Sequence, residues 1–178
     1  MATAARQLPA LEDRLACLAL VDARPHLGIP QHPPACVRKA QGKRSRPTAA
    51  TLDSQSVKSD PPGGDVGYDA AKKIKGRERH LLVNTLGLVL GVLVTPASTP
   101  EREGAQALLT RVLGWLTWLR LMWVDGGYSG ATFAQRVQGI RPKLEGEGVK
   151  RSDDVKGCRV QPRRWVVERT FGWLRRHR

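Results

Sequence analysis

The sequence contains few cysteines, few aromatic residues and few acids, and it has no long apolar run. Its three cysteines, Cys17, Cys36 and Cys158, are far apart. Cysteines that are so few, so widely spaced and odd in number argue against a disulfide framework and indicate a reducing compartment. No run reaches the ~18 apolar residues that a membrane span needs, and the amino terminus lacks a clean signal-peptide core. We therefore expect a cytoplasmic protein without a membrane partner.

Aromatic residues make up only 5% of the chain. This argues against a structural RNA-binding protein, because single-stranded RNA is usually held by stacking on aromatic rings. The shortage of acids is more informative, since 16 Asp and Glu face 30 Lys and Arg, for a net charge of +14. An excess of this size favours polyanions, and nucleic acid is the obvious one. A basic protein that is merely soluble remains the alternative.

The chain divides into two regions of different character. Residues 1–47 are predicted to be an irregular basic region, with a short helical pattern over residues 8–21 followed by prolines and a basic linker. Zinc ligation by Cys17, His26, His32 and Cys36 would not match the spacing of a standard finger. Residues 48–178 carry regular hydrophobic patterns and are predicted to be a folded domain.

The second region predicts strands and helices in a mixed order. The patterns indicate a short strand at 49–54 that ends in an acid, a hairpin of strands 80–83 and 88–94, a helix from Glu101, a strand at 119–124, a helix at 131–138, at most one edge strand in 139–162 and a terminal helix at 163–178. Leu108, Val112, Trp115 and Leu119 have the spacing of one helical face. This order predicts a mixed α/β sheet flanked by helices.

Three acids are candidates for chemistry. Asp53 and Asp125 follow apolar strands, and Glu168 lies in the terminal helix. Carboxylates that converge repel one another unless a cation lies between them. Magnesium prefers oxygen ligands, and two such ions can assist an in-line phosphoryl displacement. Each acid also has a plainer explanation, as a turn residue or as a solvated helix residue that forms ion pairs.

The terminal helix places basic residues on the same face as its acid. Arg164 precedes Glu168 by four residues, and Gly172 and Arg175 follow it by four and seven. An acid flanked by two guanidiniums suits metal binding next to a phosphate. An ordinary i, i+4 ion pair between Arg164 and Glu168 is the alternative.

Five stretches, in this order, resemble DDE transposases of the insertion-sequence five family, which is related to the insertion-sequence four group. They are Leu52–Lys58, Gly67–Arg77, His80–Gly87, Trp123–Tyr128 and Pro162–Phe171. The resemblance implies that residues 48–178 are a DDE catalytic domain with an RNase H-like fold and a mixed five-stranded sheet. It also implies metal-dependent DNA strand cleavage and transfer, with two Mg²⁺ (or Mn²⁺) ions held by Asp53, Asp125 and Glu168.

The resemblance further implies double-stranded DNA as the partner, both at the terminal inverted repeats of an element and at its target, with a homodimer as one form of the active complex. We expect the protein to act at the bacterial nucleoid. The residues expected to contact DNA phosphates are Lys72, Lys73, Lys75, Arg77, Arg164 and Arg175.

Three departures from the family pattern bear on the expected function. Gln161 stands where the related group has a tyrosine, residues 1–36 do not resemble the usual end-binding region, and the chain stops soon after Glu168. We therefore expect a truncated copy. The alternatives are an inactive remnant that only binds DNA nonspecifically, and an RNase H-like nuclease that acts on RNA–DNA hybrids.

Overall fold

The computed structural model describes residues 27–28, 35–59, 65–128, 130–149 and 163–176. Its elements are β1 (Leu27–Gly28), α1 (Ala35–Ala40), β2 (Ala49–Lys58), β3 (Gly67–Asp69), β4 (Ile74–Asn84), β5 (Val89–Pro96), α2 (Glu101–Val112), β6 (Leu121–Asp125), a 3₁₀ turn (Gly126–Tyr128), α3 (Ala131–Ile140), β7 (Glu145–Val149) and α4 (Trp165–Arg176). The helical pattern at residues 8–21 lies outside the described residues, as do Cys17, His26, His32 and Cys158. Within those ranges, no helix is long and apolar enough to cross a membrane.

The strands form one mixed sheet in the order β1-β5-β4-β2-β6-β7, and β3 pairs with β4. Strand β4 is antiparallel to both β2 and β5, whereas β6 is parallel to both β2 and β7. This arrangement is consistent with the RNase H-like fold that was expected. The five predicted strands are β2 and β4 to β7, and the short strands β1 and β3 add to them. Strands of two and three residues are too short to show an alternating pattern in the sequence.

The predicted hairpin is confirmed, and its turn has a clear local cause. The side chain of Asn84 accepts hydrogen bonds from the backbone N–H groups of Leu86 and Leu88, at 2.8 and 3.3 Å. Gly87 has a φ of +82°, which a residue with a side chain rarely adopts. Because these contacts lie within five residues, the sequence alone was enough to predict the turn.

Strand β2 is longer than predicted. It was expected to end near Asp53, but it continues to Lys58 and pairs with β4 from Ala50 to Lys58. Residues 54–58 are mostly polar, so the apolar pattern stops before the strand does. Hydrogen bonds with β4 extend β2 through these polar residues, and the hydrophobic pattern of the sequence gives no sign of that pairing. Asp53 therefore lies in the middle of a strand and not at its end.

Helix α2 is shorter than its apolar spacing suggested. It ends at Val112, so Trp115 does not share a helical face with Leu108, and its side chain is 72% exposed. Leu119 is fully buried, but it lies in the connection that leads to β6.

Two apolar cores lie on opposite faces of the sheet. Alternate residues of a strand point to opposite faces, so Leu82 joins the core formed with α2 and α3, whereas Leu81 and Val83 join the core formed with α4. Helix α4 packs there through Val167 and Phe171, whose spacing of four residues forms an apolar stripe on one face of the helix. The sheet is thus covered by helices on both faces, and α4 covers the face of Leu81.

Helix α1 and strand β1 lie in the region that was predicted to be irregular and basic. The side chain of Arg38 is buried, and its Nε donates to the carbonyl of Arg44 at 2.8 Å, which holds the end of α1 to the segment that follows. The two residues of β1 pair with β5. The division of the chain at residue 48 stays a prediction.

Candidate active site

Asp53 and Asp125 lie at the same level of two neighbouring parallel strands. Strands β2 and β6 pair with Leu52 opposite Val124, and the two aspartates are the next residues along each strand. Thr51, two residues before Asp53, donates to the carbonyl of Arg163 at 3.1 Å, so this face of β2 is the one that α4 covers. The parallel pairing therefore brings together two acids that are distant in the sequence.

Arg164 bridges the two aspartates. Its Nη1 donates to Asp125 Oδ1 at 2.8 Å, and its Nη2 donates to Asp53 Oδ2 at 3.3 Å. The side chains of Arg164 and Asp53 are only 11% and 13% exposed, whereas that of Asp125 is 44% exposed. Ion pairs that are shielded from water are screened less than exposed ones. The guanidinium is therefore a strong local counter-charge.

The backbone of the turn before α4 is fixed by Arg163. This residue has a φ of +73°. Its side chain stacks on the ring of Trp123 at 5.1 Å and forms an ion pair with Glu147 at 3.2 Å. Trp123 also donates to Glu147, at 2.9 Å. Contacts with β6 and β7 thus hold the turn from which Arg164 reaches the aspartates.

The electrostatics of Asp53 reflect this setting. Burial raises the pKa of Asp53 above its ordinary value, and the neighbouring Asp125 carboxylate adds to the rise. The Arg164 guanidinium and the backbone N–H of Ser54 lower the same pKa, but they do not offset the effect of burial. A carboxylate in such a place is stabilised in its charged form by any cation that approaches it.

Glu168 is placed differently from the two aspartates. It lies on α4 one turn after Arg164 and is exposed, and its carboxylate makes no hydrogen bond or ion pair with the residues that the structure describes. Among these residues, no group of three or more acidic, histidine or cysteine side chains is arranged to hold a metal ion. The structure therefore brings together Asp53 and Asp125, but it does not assemble Glu168 with them.

The pair of aspartates nonetheless has the chemistry that a divalent ion requires. Two carboxylates face one another across a cation, and carboxylate oxygens are the ligands that Mg²⁺ and Mn²⁺ prefer. The guanidinium stands in for such an ion, because it is a positive charge that both acids contact directly. The donor set therefore fits a hard divalent cation.

The basic residues predicted to bind DNA fall into two groups. Lys73, Lys75 and Arg175 are exposed, and Arg77 is partly buried with its Nε donating to the carbonyl of Asp65 at 3.4 Å. Lys75 and Arg77 alternate along β4 with the buried Glu78 and belong to the same face as Leu81, which α4 covers. Part of the predicted basic surface therefore lies on the same face of the sheet as Asp53.

Lys72 lies in a network of carboxylates instead. Its ammonium group pairs with Glu101, Glu78 and Asp69 at 2.5, 3.0 and 3.6 Å, and it donates to the hydroxyl of Ser56 at 3.1 Å. Burial acts to lower the pKa of Lys72, but the hydrogen bonds with Glu101 and Glu78 outweigh it and the pKa is raised. A phosphate contact by Lys72 would have to replace an existing ion pair.

Sequence reasoning missed this network on the second face of the sheet. Glu78 is 1% exposed, and nearby the buried Tyr128 donates to the hydroxyl of Ser54 at 3.0 Å. Burial raises the pKa of Tyr128, so its hydroxyl stays a donor at neutral pH. One signal in the sequence could have revealed the network. Glu78 is an acid within a run of basic residues, and it alternates with them along β4, which places it on the opposite face of the strand.

His80 belongs to the same face and should make stability depend on pH. It is fully buried and lies 3.0 Å from the Thr95 hydroxyl, and burial together with nearby Lys72 lowers its pKa from 6.5 to about 4. Between these values the unfolded chain binds a proton that the folded chain does not. We expect the free energy of unfolding to fall by up to about 3 kcal/mol as the pH drops through this range.

The measurement is urea unfolding at neutral pH and near pH 4 for the wild type and for His80→Gln. The fall in the free energy of unfolding should be smaller in the variant, because its side chain cannot take up a proton. All other ionisable groups are common to the two proteins, so the comparison isolates the contribution of His80. An equal fall in both proteins would show that His80 is not the titrating group.

Comparison with known families agrees with this geometry. The family described as "Transposase DDE domain" matches residues 44–178, a range that includes Asp53, Asp125, Arg164 and Glu168. No curated protein matches the chain. The match covers most of the sequence and every element from β2 to α4, and the chain therefore belongs to the transposase DDE domain family.

Proposed function

We propose that this protein is a transposase that cuts DNA at the ends of an insertion sequence and joins the released strands to target DNA. Membership of the DDE family indicates DNA cleavage and transfer related to transposition, and domains of this family generally use divalent metal ions. The observation that carries the proposal is the pair of aspartates, Asp53 and Asp125, which share one cation at adjacent strands. Two carboxylates so close together, one of them largely buried, require a positive charge between them.

In this proposal Asp53, Asp125 and Glu168 are the ligands of two Mg²⁺ or Mn²⁺ ions. Asp53 and Asp125 already lie side by side on a rigid sheet, and Glu168 is exposed on the helix that covers the same face. When bound, the ions would activate water and stabilise the charge that develops on a phosphodiester. The paired strands keep the two aspartates aligned. The exposed Glu168 side chain would turn towards them to supply the third carboxylate ligand.

The exposed basic residues are proposed to hold the DNA backbone. Lys75 and Arg77 lie on the aspartate face of β4, and Lys73 and Arg175 are exposed. Contacts of this type fix the position of the duplex but do not read its bases. The net charge of +14 supports a salt-sensitive affinity for double-stranded DNA. Recognition of terminal inverted repeats and the assembly of a homodimer belong to the proposal as well.

Glu168 provides the sharpest test of the metal set, because the structure leaves its carboxylate apart from the aspartates. We expect Glu168→Gln to reduce Mg²⁺-dependent nicking of element-end DNA by at least about 100-fold, since an amide is a much weaker metal ligand. DNA affinity should change little. The assay is single-turnover nicking of labelled duplex at saturating protein, with Glu103→Gln, an exposed acid of α2, as the control.

The outcomes separate the candidate functions. Loss of nicking in Glu168→Gln alone supports the proposed set of three acids. Unchanged nicking in that variant would remove Glu168 from the set. DNA binding without nicking by the wild type would favour an inactive remnant, and cleavage of an RNA–DNA hybrid in preference to the duplex would favour an RNase H-like nuclease.

A further inference from the structure

We propose that Arg164 is the resident counter-cation of Asp53 and Asp125, that a divalent ion must displace it, and that its displacement frees a guanidinium for the DNA backbone. This inference rests on the proposed function, because it concerns the metal site that the function requires. It assigns Arg164 two alternative partners, the carboxylates in the metal-free protein and a phosphate in the loaded one.

The contacts of Arg164 define the first state. One guanidinium spans two acids on different strands, and each of its terminal nitrogens donates to a different carboxylate, at 2.8 and 3.3 Å. A metal ion held by the same two carboxylates would approach the oxygens that Arg164 now contacts. Two cations cannot share that space without strong repulsion, because charges a few ångströms apart in a shielded site are poorly screened. The two modes of binding are therefore competitive.

The electrostatic need for a cation explains why Arg164 is there. The Asp53 side chain is 13% exposed, and a second carboxylate lies next to it. Removing one partner of a buried ion pair leaves an uncompensated charge, which typically costs a few kcal/mol. A guanidinium stays charged at any physiological pH, so Arg164 neutralises the acids whenever no metal ion is bound.

Because Arg163 is anchored, the side chain of Arg164 can change position without a movement of the backbone. Arg163 is fixed by Trp123, by Glu147 and by the hydrogen bond from Thr51 to its carbonyl. The backbone of the turn can therefore stay in place while the long side chain of Arg164 changes partner. A guanidinium offers two parallel donors that match a phosphate as well as a carboxylate.

Arg164 would couple the binding of the metal ion to the binding of DNA, because it competes with the ion for the aspartates and can bind a phosphate once it is displaced. An ion that displaces Arg164 makes the guanidinium available, so each ligand should strengthen the binding of the other by the same factor. Direct bridging of a phosphate by the ion would also couple them, but that route does not require Arg164. The two routes are distinguished by a variant that lacks the guanidinium.

The first experiment measures Mn²⁺ affinity without DNA, by calorimetric titration of the full chain. We expect Arg164→Met to bind Mn²⁺ at least about tenfold more tightly than the wild type, because the ion no longer has to displace a cation. Arg176→Met is the matched control, since it removes the same charge from an exposed position of the same helix. Its affinity should stay within about twofold of the wild type.

Thermal unfolding provides a second measure of the same competition. Without metal, Arg164→Met should unfold at a lower temperature than the wild type, and Mn²⁺ should raise its midpoint more than that of the wild type. Arg164→Lys serves if the methionine variant does not fold, because it keeps one positive charge but cannot donate to both acids. Its Mn²⁺ affinity should lie between those of the wild type and Arg164→Met.

The third measure is the DNA affinity in Ca²⁺, under conditions without cleavage. Ca²⁺ should increase the affinity of the wild type for duplex DNA more than that of Arg164→Met. Equal or weaker Mn²⁺ binding by Arg164→Met would overturn the inference and leave the proposed function intact. If the wild type and Arg164→Met both failed to bind Mn²⁺, the metal site of the proposed function would fail together with the inference.

Discussion

Replacing Asp53 with asparagine should reduce Mg²⁺-dependent nicking of element-end DNA by at least about 1,000-fold, which corresponds to about 4 kcal/mol of transition-state stabilisation. Asp53 is the most buried of the three candidate ligands. It lies on β2, the strand between β4 and β6 in the sheet. An amide of the same shape cannot supply the charge that a divalent ion needs. Single-turnover nicking of a labelled duplex measures the effect.

The substitution should leave the fold and DNA binding in place. Asparagine keeps an oxygen that can accept the hydrogen bond from Arg164, and the loss of one negative charge should slightly raise the affinity for duplex DNA. Asp65→Asn is the matched control, because Asp65 is exposed and only its backbone carbonyl contacts Arg77. Nicking by Asp53→Asn at the wild-type rate would rule out Asp53 as a catalytic ligand.

Replacing Gly104 with alanine should destabilise the protein by about 3 kcal/mol or more, which is the upper range for an overpacked core. A Cβ atom on Gly104 would lie 2.0 Å from Nε2 of His80. The ring of His80 is fully buried and close to Thr95, so it has little room to move. Urea unfolding at neutral pH measures the change in the free energy of unfolding.

Helix propensity acts in the opposite direction at this position, because it favours alanine, whereas the steric clash with His80 disfavours it. Alanine is favoured over glycine by up to about 1 kcal/mol in the interior of a helix, so the steric clash should dominate in α2. Gly139→Ala in α3 is the control, because nothing lies within 4 Å of the added Cβ. That variant should be as stable as the wild type or more so. A neutral effect of Gly104→Ala would mean that His80 moves freely.

Much of the fold could be predicted because its signals are local. The hairpin depends on Asn84 and Gly87, which are three residues apart, and the α4 stripe of Val167 and Phe171 is visible in one turn of helix. These features need only the chemistry of neighbouring residues. The polar end of β2, after Asp53, could not be predicted because its strand conformation depends on pairing with β4. The two-residue strand β1 has the same dependence on a partner.

The candidate site was predictable only in part. The apolar residues before Asp53 and Asp125 indicated that both acids adjoin sheet strands, although Asp53 lies within β2. The register of β2 and β6 places the two acids side by side. The role of Glu168 as a third ligand stays a prediction, since the described residues do not assemble it with the other two. Lys72 was grouped with the exposed basic residues, because its three carboxylate partners come from three different elements.

The amino-acid sequence by itself determined the order of the five longer strands and of helices α2 to α4, and the excess of basic residues, because these depend on short-range periodicity and on composition. It also predicted which acids are the candidate ligands. Only the tertiary structure decided which cation neutralises the aspartates. The contact between Arg164 and Asp53 joins residues 111 positions apart. It exists because a parallel strand pair aligns two carboxylates beneath the turn that opens α4, and no local pattern encodes the distance between a sheet and the helix that packs on it.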